Sequence, residues 1–142
     1  MPIADRIKTD LTAAMKAGEK DRVGALRLVL SELQKDAKEG PNDEQAVLRR
    51  ERKRRRESEA AYRDAGRTDL AEQEAFEASV IEAYLPAELS DDELESLVRQ
   101  GVEATGAEGP RDMGRVIKHV LAAAGGRADG RRVSERVREA LA

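Results

Sequence analysis

Apolar residues recur with a helical period along almost the whole chain. Ile3, Ile7, Leu11, Ala14 and Met15 stand at i, i+4, i+8, i+11 and i+12, and Val23, Leu26, Leu30 and Leu33 repeat the spacing after a break at Gly18. The pattern predicts helices over 3–17 and 20–38. "EGPND" at 39–43 stops the second, with Gly40 suited to a C-terminal cap and Pro41 unable to continue the helix.

A third helix is expected from Asn42 or Asp43 to Ala65, with Val47, Leu48, Tyr62 and Ala65 on its apolar side, ending at Gly66. Thr68 or Asp69 then caps a fourth that carries Phe76, Val80, Ile81 and Tyr84 and stops at Pro86. "LSDDEL" at 89–94 holds a full start signal: Ser90 as N-cap, Glu93 three residues on, and Leu89 with Leu94 as a hydrophobic staple. Helix five follows with Leu94, Leu97, Val98 and Val102. After the break at 106–109, helix six is expected over 110–123, with Pro110 at its first position and Met113, Val116, Ile117, Val120 and Leu121 inward. "GGRADG" separates it from helix seven, capped by Asp129 and buried along Val133, Val137, Ala140 and Leu141.

No segment alternates with period two, so the expected fold is all-α. It comprises an amino-terminal helical domain of about four helices (1–88) and a small carboxy-terminal three-helix domain (89–142). Composition agrees: charged residues make up 39% of the 142, and the only aromatics are Tyr62, Phe76 and Tyr84. The absence of cysteine excludes disulfides and thiolate metal sites, and a single histidine, His119, cannot build an imidazole cluster. No metal and no cofactor is expected. The first residues, "MPIADRIKTD", lack an apolar leader core, and no run approaches the roughly 20 apolar residues that span a bilayer, so a cytoplasmic location and no membrane partner are expected.

The formal charge of -3 conceals segregation. From Asp69 to Glu95 there are ten acids and no Lys or Arg, whereas Arg111 to Arg138 holds eight basic residues against three acids. "RRERKRRRE" at 49–57 is the densest basic run, supplied by Arg49, Arg50, Arg52, Lys53, Arg54, Arg55 and Arg56. At 100° per residue these cations encircle the third helix, and its apolar stripe passes through Glu51, Arg54, Arg55 and Ser58. The run admits two readings. One is a solvated helix whose arginines pair with Glu51, Glu57, Glu59 and the acidic fourth helix; the other is a phosphate-binding surface with Arg49, Arg50, Arg52, Lys53 and Arg56 as its contacts.

Helix six sorts its charges more cleanly. Arg111, Arg115, Lys118 and His119 occupy about a third of the circumference opposite the apolar side, and Arg127, Arg131 and Arg132 follow at the next helix start. Arg111, Arg115, Lys118, Arg127, Arg131 and Arg132 are therefore the first candidates for nucleic-acid contact, with an ordinary solvated face as the alternative. No catalytic residue is assigned. The serines lie in helical or capping contexts, no G-x-S-x-G elbow is present, and "GGRADG" lacks the spacing of a phosphate-cradling loop. An autonomous enzyme is not expected.

"AGRTDLAEQEAFEASVIEAYLP" (65–86), "LSDDEL", "DMGRVI" (112–117) and "GGRADG" (125–130), in that order, resemble the YqeY-like proteins of the GatB/YqeY family over essentially the whole chain. The carboxy-terminal part is also similar to the tail domain of the B subunit of the glutamine-dependent aminoacyl-tRNA amidotransferase. The resemblance implies a two-part helical protein and a tRNA-associated binding role, since the amidotransferase tail engages tRNA. It also implies tRNA, or a protein of the tRNA-amidation machinery, as partner. A family-level association with carbon–nitrogen ligase activity, glutamine serving as amido donor, comes with it, but the chain carries neither the amidase nor the kinase-like cradle. A protein-interaction adaptor without a nucleic-acid role is the competing expectation.

By the same resemblance Arg115 holds the basic position after D-M-G, and Arg127 that of G-[KR]-A-D-G. Asp112, Gly114, Gly126, Asp129 and Gly130 match too, as helix-start residues and breaks. Ile117 and Lys118 depart from the Met-Gly common in the family, which removes a small residue four places after Gly114 and adds a cation to the stripe.

Overall fold

Each stretch with helical spacing forms a helix, and no strand is present. The structure, a computed structural model, describes residues 1–142. Its helices are α1 (Ile3–Ala17), α2 (Lys20–Glu39), α3 (Glu44–Asp64), α4 (Thr68–Glu82), α5 (Asp91–Thr105), α6 (Met113–Ala124) and α7 (Gly130–Leu141), with a 3-10 turn at Pro110–Asp112 leading into α6. The chain forms two compact units, Met1–Leu85 and Pro86–Ala142, each with its own apolar core. No helix is long and apolar enough to cross a membrane.

In the first unit α1 packs on α2, α3 and α4 form a hairpin, and α2 touches both arms of that hairpin. Ile7, Leu26, Leu33, Val47, Leu48 and Ile81 centre the core. Pro2 offers α1 no side-chain cap, and a distant residue supplies one. The Glu44 carboxylate accepts from the Ile3 and Ala4 N–H groups at 3.0 and 2.8 Å, satisfying donors that the first helical turn leaves open. Further along α1, the Tyr84 hydroxyl donates to Asp10, and the Arg6 guanidinium lies 5.2 Å from the Tyr84 ring centroid. Burial, then the bond to Asp10, pushes the Tyr84 hydroxyl pKa up to about 12.

Several details differ from the sequence expectation. Met15 is 53% exposed and Leu121 37% exposed. Each stands at the leading edge of an i, i+4 series, which advances about 40° per step and so leaves the buried sector at its last member. Ala140 and Phe76 are exposed as well. Gly40 is not left-handed; its backbone is extended at φ -116. A Cβ there would lie 2.3 Å from Asp36 Oδ1, and Asp36 Oδ2 accepts from the Asp43 N–H at 2.9 Å, so close approach to Asp36 is what the position demands. Arg67, and neither Thr68 nor Asp69, precedes α4; it pairs with Asp69.

The second unit begins with the capping box that the sequence spells out. Ser90 Oγ accepts from the Glu93 N–H and Glu93 Oε1 accepts from the Ser90 N–H, both at 3.1 Å, while Leu89 and Leu94 join one core. Asp129 caps α7 by accepting from the Arg132 N–H at 2.8 Å. Helices α5, α6 and α7 all touch one another, and α5 meets α6 at buried Gly101. A Cβ at Gly101 would lie 3.0 Å from Val120, 3.3 Å from the His119 ring and 3.4 Å from Val116. A side chain there must push α6 away, and Gly101→Leu is expected to destabilise the fold by about 1–3 kcal/mol. Thermal denaturation checks this; a variant that melts with the parent would show that the α5–α6 contact yields freely.

Between α3 and α4 the seam is polar. Glu51 is 2% exposed and binds Arg54 at 3.3 Å and Arg55 at 3.4 Å. Arg55 also reaches Glu77 at 3.5 Å and Glu74 at 3.7 Å, the last within ion-pairing range but too long for a hydrogen bond. Glu74 Oε2 is thus buried without a hydrogen-bond partner. Burial, and next the neighbouring Glu77 carboxylate, holds the Glu74 carboxyl above its ordinary 4.5. The folded chain therefore keeps this proton more tightly than the unfolded chain does. The cost to stability appears as pH rises above 4.5 and is complete above the folded-state value. Glu74→Gln is expected to raise the melting temperature at pH 8 relative to the parent and to lose that advantage by pH 4.5. Paired melts across this range decide it, and an equal effect at both ends would contradict the assignment.

Candidate nucleic-acid interface

The six cations predicted along α6 and the start of α7 separate into two groups. Arg115, Arg127 and Arg132 act inside the unit. Arg115 donates to the Thr105 carbonyl at 3.1 Å and pairs with Asp112, which also accepts from the Glu108 N–H at 2.9 Å. Asp112 thereby organises the turn that leads into α6, and the Glu108 amide, followed by Arg115, holds its carboxyl below the usual range.

Arg127 and Arg132 fasten the entry to the second unit. Arg127 Nε donates to the Ala87 carbonyl at 2.8 Å, its own carbonyl accepts from the Leu89 N–H at 2.8 Å, and Arg132 Nη1 donates to the Leu89 carbonyl at 2.7 Å. Asp91 receives Arg132 at 2.9 Å and Arg136 at 3.0 Å. Arg136 was absent from the predicted set. Arg132 and Arg136 stand at i and i+4 on α7 and so share one face, but their convergence on Asp91 depends on tertiary packing that no local pattern displays.

Arg111, Lys118 and Arg131 make up the second group, and all three are exposed. Neither Arg111 nor Lys118 forms a hydrogen bond or ion pair within the chain, and Arg131, 90% exposed, has only Glu135 of its own helix at 3.4 Å. Gly114, beside Lys118 on the same helix face, has nothing within 4 Å of where a Cβ would stand, so the lysine obstructs no packing here. His119 is exposed with its ring edge over Gly101. No group of three or more His, Asp or Glu side chains is placed to hold a metal ion.

On α3, Arg49 is half-buried and donates to Gln45 at 3.5 Å, Arg52 is half-buried, and Arg56 pairs with Glu82. Arg50 and Lys53 are exposed and make no hydrogen bond or ion pair.

The sequence has counterparts among known proteins. A family model described as Yqey-like protein matches residues 4–141. The chain belongs to the YqeY-like family. It is also 28% identical, over 148 aligned positions covering 98% of this chain and 81% of the relative, to altered inheritance of mitochondria protein 41, mitochondrial, of Pyrenophora tritici-repentis. In this YqeY-like chain the D-M-G-R and G-R-A-D-G segments are turn and clamp: Asp112 with Arg115, Asp129 capping α7, and Arg127 holding Ala87.

The clamp leaves a titratable mark. The hydrogen bond from Arg132, then the charge of Arg136, holds the Asp91 carboxyl below its ordinary 3.8. A depressed carboxyl adds stability above its unfolded pKa and loses it as pH falls through the folded value. In the R132A/R136A double variant the Asp91 pKa, followed by NMR, is expected to rise toward 3.8. An unmoved titration would separate Asp91 from the two arginines.

Proposed function

We propose that the protein is an accessory binding module that associates with tRNA through the outer side of α6 and the start of α7. In this reading the second unit is related to the tail domain of the aminoacyl-tRNA amidotransferase B subunit. Membership of the YqeY-like family supports an accessory module. The observation that carries the tRNA contact is the sorting of cations in the second unit. Arg115, Arg127 and Arg132 are committed to holding the fold, whereas Arg111, Lys118 and Arg131 remain exposed for an external anion.

Such a contact works on phosphates and shape. The three aromatic residues, Tyr62, Phe76 and Tyr84, all belong to the first unit, so the second has no phenyl, phenol or indole ring on which to stack an unpaired base. Each phosphate neutralised releases counterions, with a slope of about -0.9 in log affinity against log salt on a duplex.

The test is titration of the protein into labelled tRNA over a salt series, with the parent compared with R111A/K118A/R131A. The triple variant is expected to bind roughly tenfold or more weakly at low salt, with a salt slope shallower by about 2–3. Failure of the parent to bind at low salt, or an unchanged affinity and slope in the variant, would overturn the reading. Arg115, Arg127 and Arg132 are left intact because their removal disturbs the fold as well as the charge.

A further inference from the structure

Folding divides the "RRERKRRRE" run of α3 into an inner and an outer set. The inner set faces acids: Arg55 with Glu51, Glu74 and Glu77, Arg54 with Glu51, and Arg56 with Glu82. The outer set does not. Arg50 and Lys53 are exposed and unpaired, and Arg49, one residue before Arg50, has only the neutral Gln45 side chain as partner. Arg49 and Lys53 are at i and i+4, and Arg50 and Lys53 at i and i+3, so their Cβ atoms are neighbours at about 5–6 Å. Glu57, one turn beyond Lys53, ends the stripe.

We infer that Arg49, Arg50 and Lys53 form a phosphate-binding stripe on the first unit, built to lie along the backbone of double-stranded nucleic acid. The assignment does not depend on the tail-side contact proposed above. Three features favour a nucleic-acid backbone over other polyanions. The stripe stands on a helix that Arg55, through Glu74 and Glu77, and Arg56, through Glu82, tie to α4. From Arg49 to Glu59 there are eleven residues without one apolar side chain, so a protein partner would find no hydrophobic anchor of the kind that centres a stable interface. The same lack leaves nothing to insert among lipid acyl chains, which interfacial helices require. Closely spaced long cations on one helix face, with no requirement for base contacts, suit regularly repeated phosphates.

The test uses the full chain and a labelled RNA duplex of random sequence, titrated over a salt series. R49A/R50A/K53A is expected to bind roughly tenfold or more weakly than the parent at low salt and to flatten the salt slope by about 2–3. Circular dichroism establishes that the variant is folded, as these side chains carry none of the first unit's core. A control removing equal charge from exposed positions elsewhere, K16A/K35A/K38A, is expected to change the slope little. Displacement of the duplex by unlabelled duplex but not by poly-glutamate of equal total charge supports phosphate recognition. The inference falls if the parent does not bind the duplex, if the α3 variant retains parental affinity and slope, if the lysine control loses as much, or if poly-glutamate competes as well as the duplex, which would indicate an acidic protein partner. R111A/K118A/R131A in the same titration keeps the outcomes distinct, since loss there with an unaffected α3 variant leaves the tail-side reading standing alone.

Discussion

The Arg55 guanidinium, shared by Glu51, Glu74 and Glu77, is the contact on which the first unit's surface depends. Arg55 is 23% exposed and Glu51 2% exposed, so the carboxylate has left water and must keep its cations. With ions at this seam, the rotation of α3 against α4 is constrained: a turn of the helix would carry Arg55, together with its α3 partner Glu51, away from Glu74 and Glu77 of α4. The same setting directs Arg50 and Lys53 away from α4. Core arrangement and surface charge are two sides of one constraint.

The second unit solves a different problem with the same residue type. Its arginines bind backbone carbonyls as well as carboxylates: Thr105 by Arg115, Ala87 by Arg127, Leu89 by Arg132. Arginine suits this because several N–H donors in a fixed plane can serve a carbonyl and a carboxylate together. Arg132 does so with the Leu89 carbonyl and Asp91, holding the start of α5 through two bonds. Short helices of 12 residues gain little stability alone, so tying loops to helix ends contributes order that α6 and α7 would otherwise lack.

Much of the fold was legible because its signals are local. The Ser90–Glu93 capping box and the Asp129 cap lie within four residues of the groups they satisfy, and the apolar repeats locate seven helices without tertiary information. What was illegible is long-range. Glu44 caps α1 from forty residues away in sequence, and Arg136 meets Asp91 across the second unit. The exposure of Met15 and Leu121 follows from drift of the apolar stripe, which a residue list without angles conceals. The candidate site was legible as a set of cations. Which of them are committed internally was not, since a helical wheel shows direction and never the partner waiting there.

That distinction governs how charge is read in a chain with 39% charged residues and a formal total of -3. Neither the total nor the density of a run measures the field an incoming polyanion meets. Arg54, Arg55 and Arg56 belong to the densest run, yet nearby carboxylates cancel much of their field at short range, and salt screens the remainder within about 8–10 Å. Arg50, Lys53, Arg111 and Lys118 have no such neighbour within ion-pairing distance. An approaching phosphate loses less to competition at these four than at the paired arginines, where it must first displace a carboxylate already in place. Paired arginines thus help to hold the helices within each unit, and the unpaired cations are the ones left open to an external anion.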